Sequence, residues 1–298
     1  MPLCDTHCHF FSSRFLEVLS ASMVDLPADG GVAAVAKRIG WSDPGDPAAL
    51  AKTWVAELDR HKVARAALIA SVPGDETSVG EAVRLYPKRF VGFFMIDPCA
   101  RDADAALERA FTTLGLRCVC LFPAMHRYSL HDERVVKVFE AAATHKAAVF
   151  VHCGALTVGV RSKLGLSSPF DWRLGDPLGV AALAARFPAV PVIIPHFGAG
   201  FFRETLMALD QCRNIHVDTS SSNAWMKYYP GLTLDGVFRQ TLAVAGPQRL
   251  LFGTDSSFFP RGWQQGIYEA QVETLETLGV REGEKDLILG GNFERIFA

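Results

Sequence analysis

Short, nearly continuous apolar runs recur along this chain, and each is followed by a stretch whose apolar residues fall at helical spacing. The runs lie at 66–70, 90–96, 118–122, 148–152, 192–196, 215–218 and 250–252, after a first one near the N-terminus. Strands that read as unbroken apolar runs are buried on both faces, which is the situation of parallel strands joined by helical crossovers. Between them, residues 54–62, 79–85, 204–211 and 237–244 read as helices. So do the sets Leu107/Ala110/Phe111/Leu114, Val135/Val138/Phe139/Ala142, Val180/Leu183/Ala184/Phe187 and Ile267/Gln271/Thr274/Leu275/Leu278. Asp102 and Asp176 stand where caps belong, Pro177 fits a first turn, and Gly115 and Gly279 fit helix stops. About eight strand–helix units predict an α/β protein, a (β/α)8 TIM barrel in one domain spanning 1–298. A doubly wound open sheet is the alternative. It would normally carry a glycine-rich phosphate loop after its first strand.

The first strand carries histidines instead. Cys4-Asp5-Thr6-His7-Cys8-His9-Phe10 places His7 and His9 two apart, so both side chains leave the same face of a strand. Two imidazoles so placed are half of a metal site. The rest of the set stands at later strand ends: His152 on strand five, His196 on strand six and Asp255 after strand eight. Barrel active sites form at the C-terminal ends of the strands, so all five residues would meet at one mouth. Taken singly, a strand-end histidine is often a packing residue and an aspartate after a strand is often a helix cap. Five such residues on one rim favour the metal site. His61, His126, His131 and His145 fall in helices or their flanks and read as background. His216 starts strand seven, at the end away from the mouth. Asp218 ends that strand nearer the mouth, where it is a secondary candidate for supporting a ligand.

The connection from Phe11 to about Thr53 far exceeds the ~4–6 residues usual between elements. It contains Gly30-Gly31 and the run Trp41-Ser42-Asp43-Pro44-Gly45-Asp46-Pro47. A loop of this kind serves as a lid or substrate wall, or is an insertion with helices of its own. The chain is 49% hydrophobic and 21% charged, enough for a large core, and its net charge of -2 gives no reason to expect nucleic acid or a membrane surface as partner. The seven cysteines lack paired zinc-finger spacing, and Leu3 already begins the first strand, leaving no room for a signal peptide. A reduced, cytoplasmic setting is therefore expected. No apolar run reaches the roughly 18 residues of a membrane span.

The motifs together resemble the amidohydrolase superfamily, in particular its amidohydrolase-related branch, which includes aminocarboxymuconate semialdehyde decarboxylase and related metal-dependent hydrolases. The resemblance is carried by Asp5-Thr6-His7-Cys8-His9, Val151-His152-Cys153-Gly154, Pro195-His196-Phe197-Gly198-Ala199-Gly200, Phe252-Gly253-Thr254-Asp255 and Ile288-Leu289-Gly290-Gly291-Asn292. It implies that His7, His9, His152 and Asp255 bind metal, with His196 a catalytic or supporting histidine. Binuclear relatives carry a bridging lysine or glutamate on strand four. Here Cys120 stands in the lysine position and Phe122 where those relatives carry a histidine, which implies a single ion. A soft Cys120 ligand is conceivable, but a buried inert thiol is the simpler reading. The resemblance also implies a homo-oligomer, a dimer or tetramer.

Three imidazoles and one carboxylate suit one divalent ion, Zn2+ first, with Mn2+, Fe2+ or Co2+ as alternatives. The expected function is a mononuclear metal-dependent hydrolase that uses metal-activated water on a lactone or amide of a small organic acid, with Asp255 as proton carrier and His196 polarising the substrate. The alternative is a non-oxidative decarboxylase of an aromatic or unsaturated carboxylic acid. A metal-binding barrel without catalysis is disfavoured, because the proton-transfer groups are present. Arg14, Arg161, Arg173, Arg203 and Arg261 are candidate carboxylate clamps, and Phe10, Trp172, Phe197, Phe258 and Phe259 candidate pocket walls.

Overall fold

The computed structural model describes residues 1–23 and 31–298. Its strands are β1 (Cys4–Phe10), β2 (Arg65–Ala70), β3 (Phe90–Ile96), β4 (Cys118–Leu121), β5 (Ala148–Val151), β6 (Val192–Ile194), β7 (Ile215–Asp218) and β8 (Leu250–Leu251). They pair in chain order, and every paired neighbour is parallel. The sheet closes where Thr6 N–H donates to Phe252 O (2.8 Å), His9 N–H to Ser256 O (2.7 Å) and Asp255 N–H to His7 O (2.9 Å). This is the (β/α)8 barrel that the alternation predicts.

Alternate residues of the strands divide between two buried clusters, as a two-residue period requires. Ala67, Ile69, Phe93, Cys118, Phe150, Ile193 and Leu251 fill the barrel interior. Ala66, Leu68, Phe94, Val119, Val149, Ile194 and Val217 face the helical layer, where residues such as Trp54, Val79, Phe139 and Phe238 cover them. Both faces are therefore dry, which is why the sequence shows unbroken apolar runs. Cys120 belongs to the interior cluster and is fully buried. The C-terminal helix Asn292–Phe297 plugs the lower end. Phe297 packs 5.1 Å from Phe93, and the Asn292 amide donates to Pro247 O and Leu250 O, each at 2.8 Å.

The long first connection is a folded insertion. It holds the helices Ser13–Ala21 and Gly31–Ile39, whose Phe15, Leu16, Leu19, Val35 and Ile39 pack with Val160 and Leu164 from the connection after β5. Gly30 lies outside the described residues. The next helix, Pro47–Arg60, begins earlier than residue 54, because the Asp46 carboxylate caps Ala49 N–H and Pro47 fits its first turn. Asp102 stands at the cap position of Ala103–Glu108 but makes no side-chain capping bond. Among the described residues, no helix is long and apolar enough to cross a membrane.

Candidate metal centre

The pairing of β1 with β2 skips one residue between Asp5 and Cys8. A bulge of this kind re-aims the side chains beyond it. Cys4 packs in the interior below it, and within it His7 turns inward to lie 5.3 Å from the Phe150 ring. Buried Asp5 anchors the kink. Its carboxylate accepts from His7 N–H (2.9 Å), Thr254 N–H (3.1 Å), Thr254 Oγ1 (2.6 Å) and Trp263 Nε1 (2.7 Å). Burial pushes its pKa up to about 6, even though these donors pull the other way.

His7, His9 and Asp255 bring one donor atom each to within 4.8 Å of one another. His7 Nε2 and His9 Nε2 are 3.3 Å apart, and Asp255 Oδ1 is 3.1 Å from the second and 3.6 Å from the first. The far nitrogens fix the tautomers. His7 Nδ1–H donates to Asp218 Oδ2 at 2.6 Å. Ser71 Oγ gives its own proton to Ile69 O, so at 2.7 Å it accepts from His9 Nδ1–H. Both Nε2 lone pairs are thus turned towards each other beside a carboxylate, an arrangement that a cation stabilises and that suits a divalent ion with nitrogen and oxygen donors.

Asp255 is held in a left-handed conformation (φ 61°). Its N–H bonds His7 O, and its carbonyl accepts from Arg261 Nη2 and Gln264 Nε2. Surroundings that over-determine such a backbone are a mark of functional positions. Burial would raise the pKa of Asp255, but the close approach of His9, His7 and His196 to its carboxylate takes it below the usual carboxylate range. Burial would likewise lower that of His7, but Asp218 outweighs it and raises the value. Burial lowers the pKa of His9, His152 and His196, which favours their neutral forms.

β6 stops at Ile194, two residues short of the expected end. Pro195 cannot donate to the ladder, and His196, Phe197 and Ala199 all take positive φ in the turn that follows. That turn packs so closely on the β5 exit that a Cβ on Gly154 would meet Gly198 O at 2.2 Å. His196 Nδ1 lies 2.9 Å from Ser220 Oγ, and its ring is 5.0 Å from that of His7. His152 stacks on Phe122 at 5.3 Å, with its ring 5.4 Å from that of His196. It shares the mouth but is not one of the three clustered donors, and its buried Nδ1 has no partner among the described residues.

All five residues line one cavity of about 860 Å3. Arg161 and Arg261 line it as the sequence suggests, and so do Arg127, Lys163 and Lys227, while Asp255 is its one acidic residue among those described. Arg14, Arg173 and Arg203 do not line it. Each pairs with an acid close in sequence: Glu17, Asp171 and Glu204. Of the candidate aromatics only Phe258 lines the cavity. Phe10 and Phe197 are core, Phe259 packs on Trp54, and the Trp172 indole N–H donates to Leu156 O. The first connection supplies the rest of the wall: its Phe11 and Trp41 stand between His9 and Phe258 in a stack with centroid spacings of 5.3, 5.3 and 4.4 Å. Arg261 and Lys163 lie over the Phe258 ring at 4.5 and 5.6 Å. His126, whose place in the sequence reads as background, also lines the cavity.

The amidohydrolase family model matches residues 4–298. The chain belongs to the amidohydrolase family. Solved structures show the same fold at low identity. The 5-carboxyvanillate decarboxylase from Sphingomonas paucimobilis is 18% identical, with a TM-score of 0.65 over 99% of this chain and 98% of its own. A putative 2-pyrone-4,6-dicarboxylic acid hydrolase from Pseudomonas putida is 18% identical, with a TM-score of 0.62 over 99% and 97%. An amidohydrolase from Burkholderia multivorans with bound zinc is 14% identical, with a TM-score of 0.66 over 100% and 99%. No curated protein sequence matches this amidohydrolase.

Proposed function

We propose that this amidohydrolase is a mononuclear metal-dependent hydrolase that opens a lactone or amide of a small organic acid. The observation that carries the proposal is the His7–His9–Asp255 cluster, its Nε2 atoms turned to a common point at the floor of a cation-lined cavity. His7, His9 and Asp255 hold one divalent ion, Zn2+ first among the choices, and His152 stands on the same rim as fourth donor. When bound, the ion supplies Lewis acidity, which acidifies water and polarises a carbonyl. Asp255, ionised and a third exposed, takes a proton at its carboxylate from the attacking water and returns it to the leaving group. His196 faces the substrate carbonyl across the mouth. The five cationic residues of the lining bind the acid group of the substrate.

A second reading rests on the flat His9–Phe11–Trp41–Phe258 stack, which suits a planar ring and hence the decarboxylation of an aromatic acid. Incubating the metal-loaded protein with lactones, amides and hydroxybenzoic acids separates the two. Ring or amide opening supports the hydrolase, and carbon dioxide release replaces it with the decarboxylase.

A further inference from the structure

We propose that the Ser220 hydroxyl sets the tautomer of His196, keeping its ring proton on Nε2 and making it a hydrogen-bond donor into the cavity rather than a base. Its consequence for the reaction rests on the proposed function above, but the tautomer itself follows from the buried network alone.

Ser220 is fully buried just beyond β7, and its Oγ reaches two ring nitrogens: His196 Nδ1 at 2.9 Å and His7 Nδ1 at 3.0 Å. The second already carries a proton, because it donates to the Asp218 carboxylate at 2.6 Å. Ser220 cannot donate to it and can only share that donor. Among the described residues the hydroxyl proton then has one acceptor in reach, His196 Nδ1. A neutral imidazole that accepts at Nδ1 carries its proton on Nε2. In the opposite tautomer His196 Nδ1–H would donate to Ser220 Oγ at 2.9 Å or to Ser220 O at 3.3 Å. That tautomer would leave the hydroxyl proton buried with no acceptor, a situation folded proteins avoid. Ser220 is itself fixed, since its N–H donates to Asp218 Oδ1 at 2.7 Å. Asp218 therefore orients both histidines: His7 directly, and His196 through Ser220.

His196 lines the cavity with Nδ1 committed to Ser220, so Nε2–H is the group it offers a substrate. That makes it a donor to an oxygen on which negative charge develops, and leaves proton abstraction to Asp255. Ser220 is a positioning residue that acts through His196.

Long-range 1H–15N correlation spectra of histidine-labelled, zinc-loaded protein test this directly, with His196 assigned from the signals lost in His196→Gln. The expected pattern is a pyridine-type Nδ1 and a pyrrole-type Nε2 on His196; a pyrrole-type Nδ1 in the wild type would overturn the proposal. Ser220→Ala is expected to turn the ring to the Nδ1–H tautomer on Ser220 O, and Ser220→Thr to preserve the wild-type pattern. An unchanged tautomer in folded Ser220→Ala would also overturn it. Should Ser220→Ala not fold, the wild-type and Ser220→Thr spectra still decide. Zinc content of the same samples is read separately, so a failed metal site and a wrong tautomer give different results.

Discussion

Asp218 accepts a 2.6 Å hydrogen bond from Nδ1 of His7, and the two side chains are 0% and 1% exposed. A carboxylate behind a ligating histidine fixes its tautomer and raises its basicity, and losing it typically lowers metal affinity ~10–100-fold. Asp218→Asn keeps the shape and removes the charge. Chelator competition should show a drop in that range, whereas wild-type affinity would remove Asp218 from this role.

Gly253 sits against the same group. A Cβ there would lie 2.9 Å from Asp218 Oδ1 and 3.0 Å from the Cβ atoms of both His7 and Ser220. Gly253→Ala should therefore destabilise the fold by about 1–3 kcal/mol, the usual range for overpacking, and reduce bound metal. Urea unfolding and elemental analysis check both, and an unperturbed variant would show that the site has slack.

His216 lies in the lower barrel, where burial, with Arg295 and Arg249 nearby, holds its pKa down to about 4 against an ordinary 6.5. Between those values the unfolded chain binds a proton that the native state does not. Stability therefore falls as pH drops from 6.5 towards 4, by up to about 3 kcal/mol from this residue. Denaturant unfolding across that window should show a shallower loss for His216→Gln than for wild type. Parallel profiles would deny His216 its share.

Lys163 reaches over Phe258 at the end of the aromatic stack. If the cavity takes an organic anion, Lys163→Ala should raise KM about 10–100-fold, in line with ~1.5–3 kcal/mol for a hydrogen bond to a charged group, and leave kcat nearly unchanged. Steady-state kinetics on whichever acid derivative proves active is the check. A fall in kcat at constant KM would place Lys163 in the chemistry instead.

The barrel was legible because strands buried on both faces must be written as apolar runs. His7, His9, His152, His196 and Asp255 were legible because they interrupt those runs at one end. The Asp218–His7 bond was not, since it depends on β7 and β1 meeting around a closed sheet. Nor was the bulge between Asp5 and Cys8, which only a pairing register reveals. Arg14, Arg173 and Arg203 are not clamps, and the reason is visible in the sequence: Glu17, Asp171 and Glu204 lie within three residues of them. The Asp46-Pro47 cap is likewise visible, although it sits inside a Pro- and Gly-rich run that reads as loop.

The central claim is that His7, His9 and Asp255 share one ion, and the most direct test is metal content by elemental analysis after dialysis. Wild-type protein should retain about one divalent ion per chain, as a mononuclear site requires, while His7→Ala, His9→Ala and Asp255→Ala should each lose most of it with the fold intact by circular dichroism. Full retention in any of the three folded variants would contradict the claim.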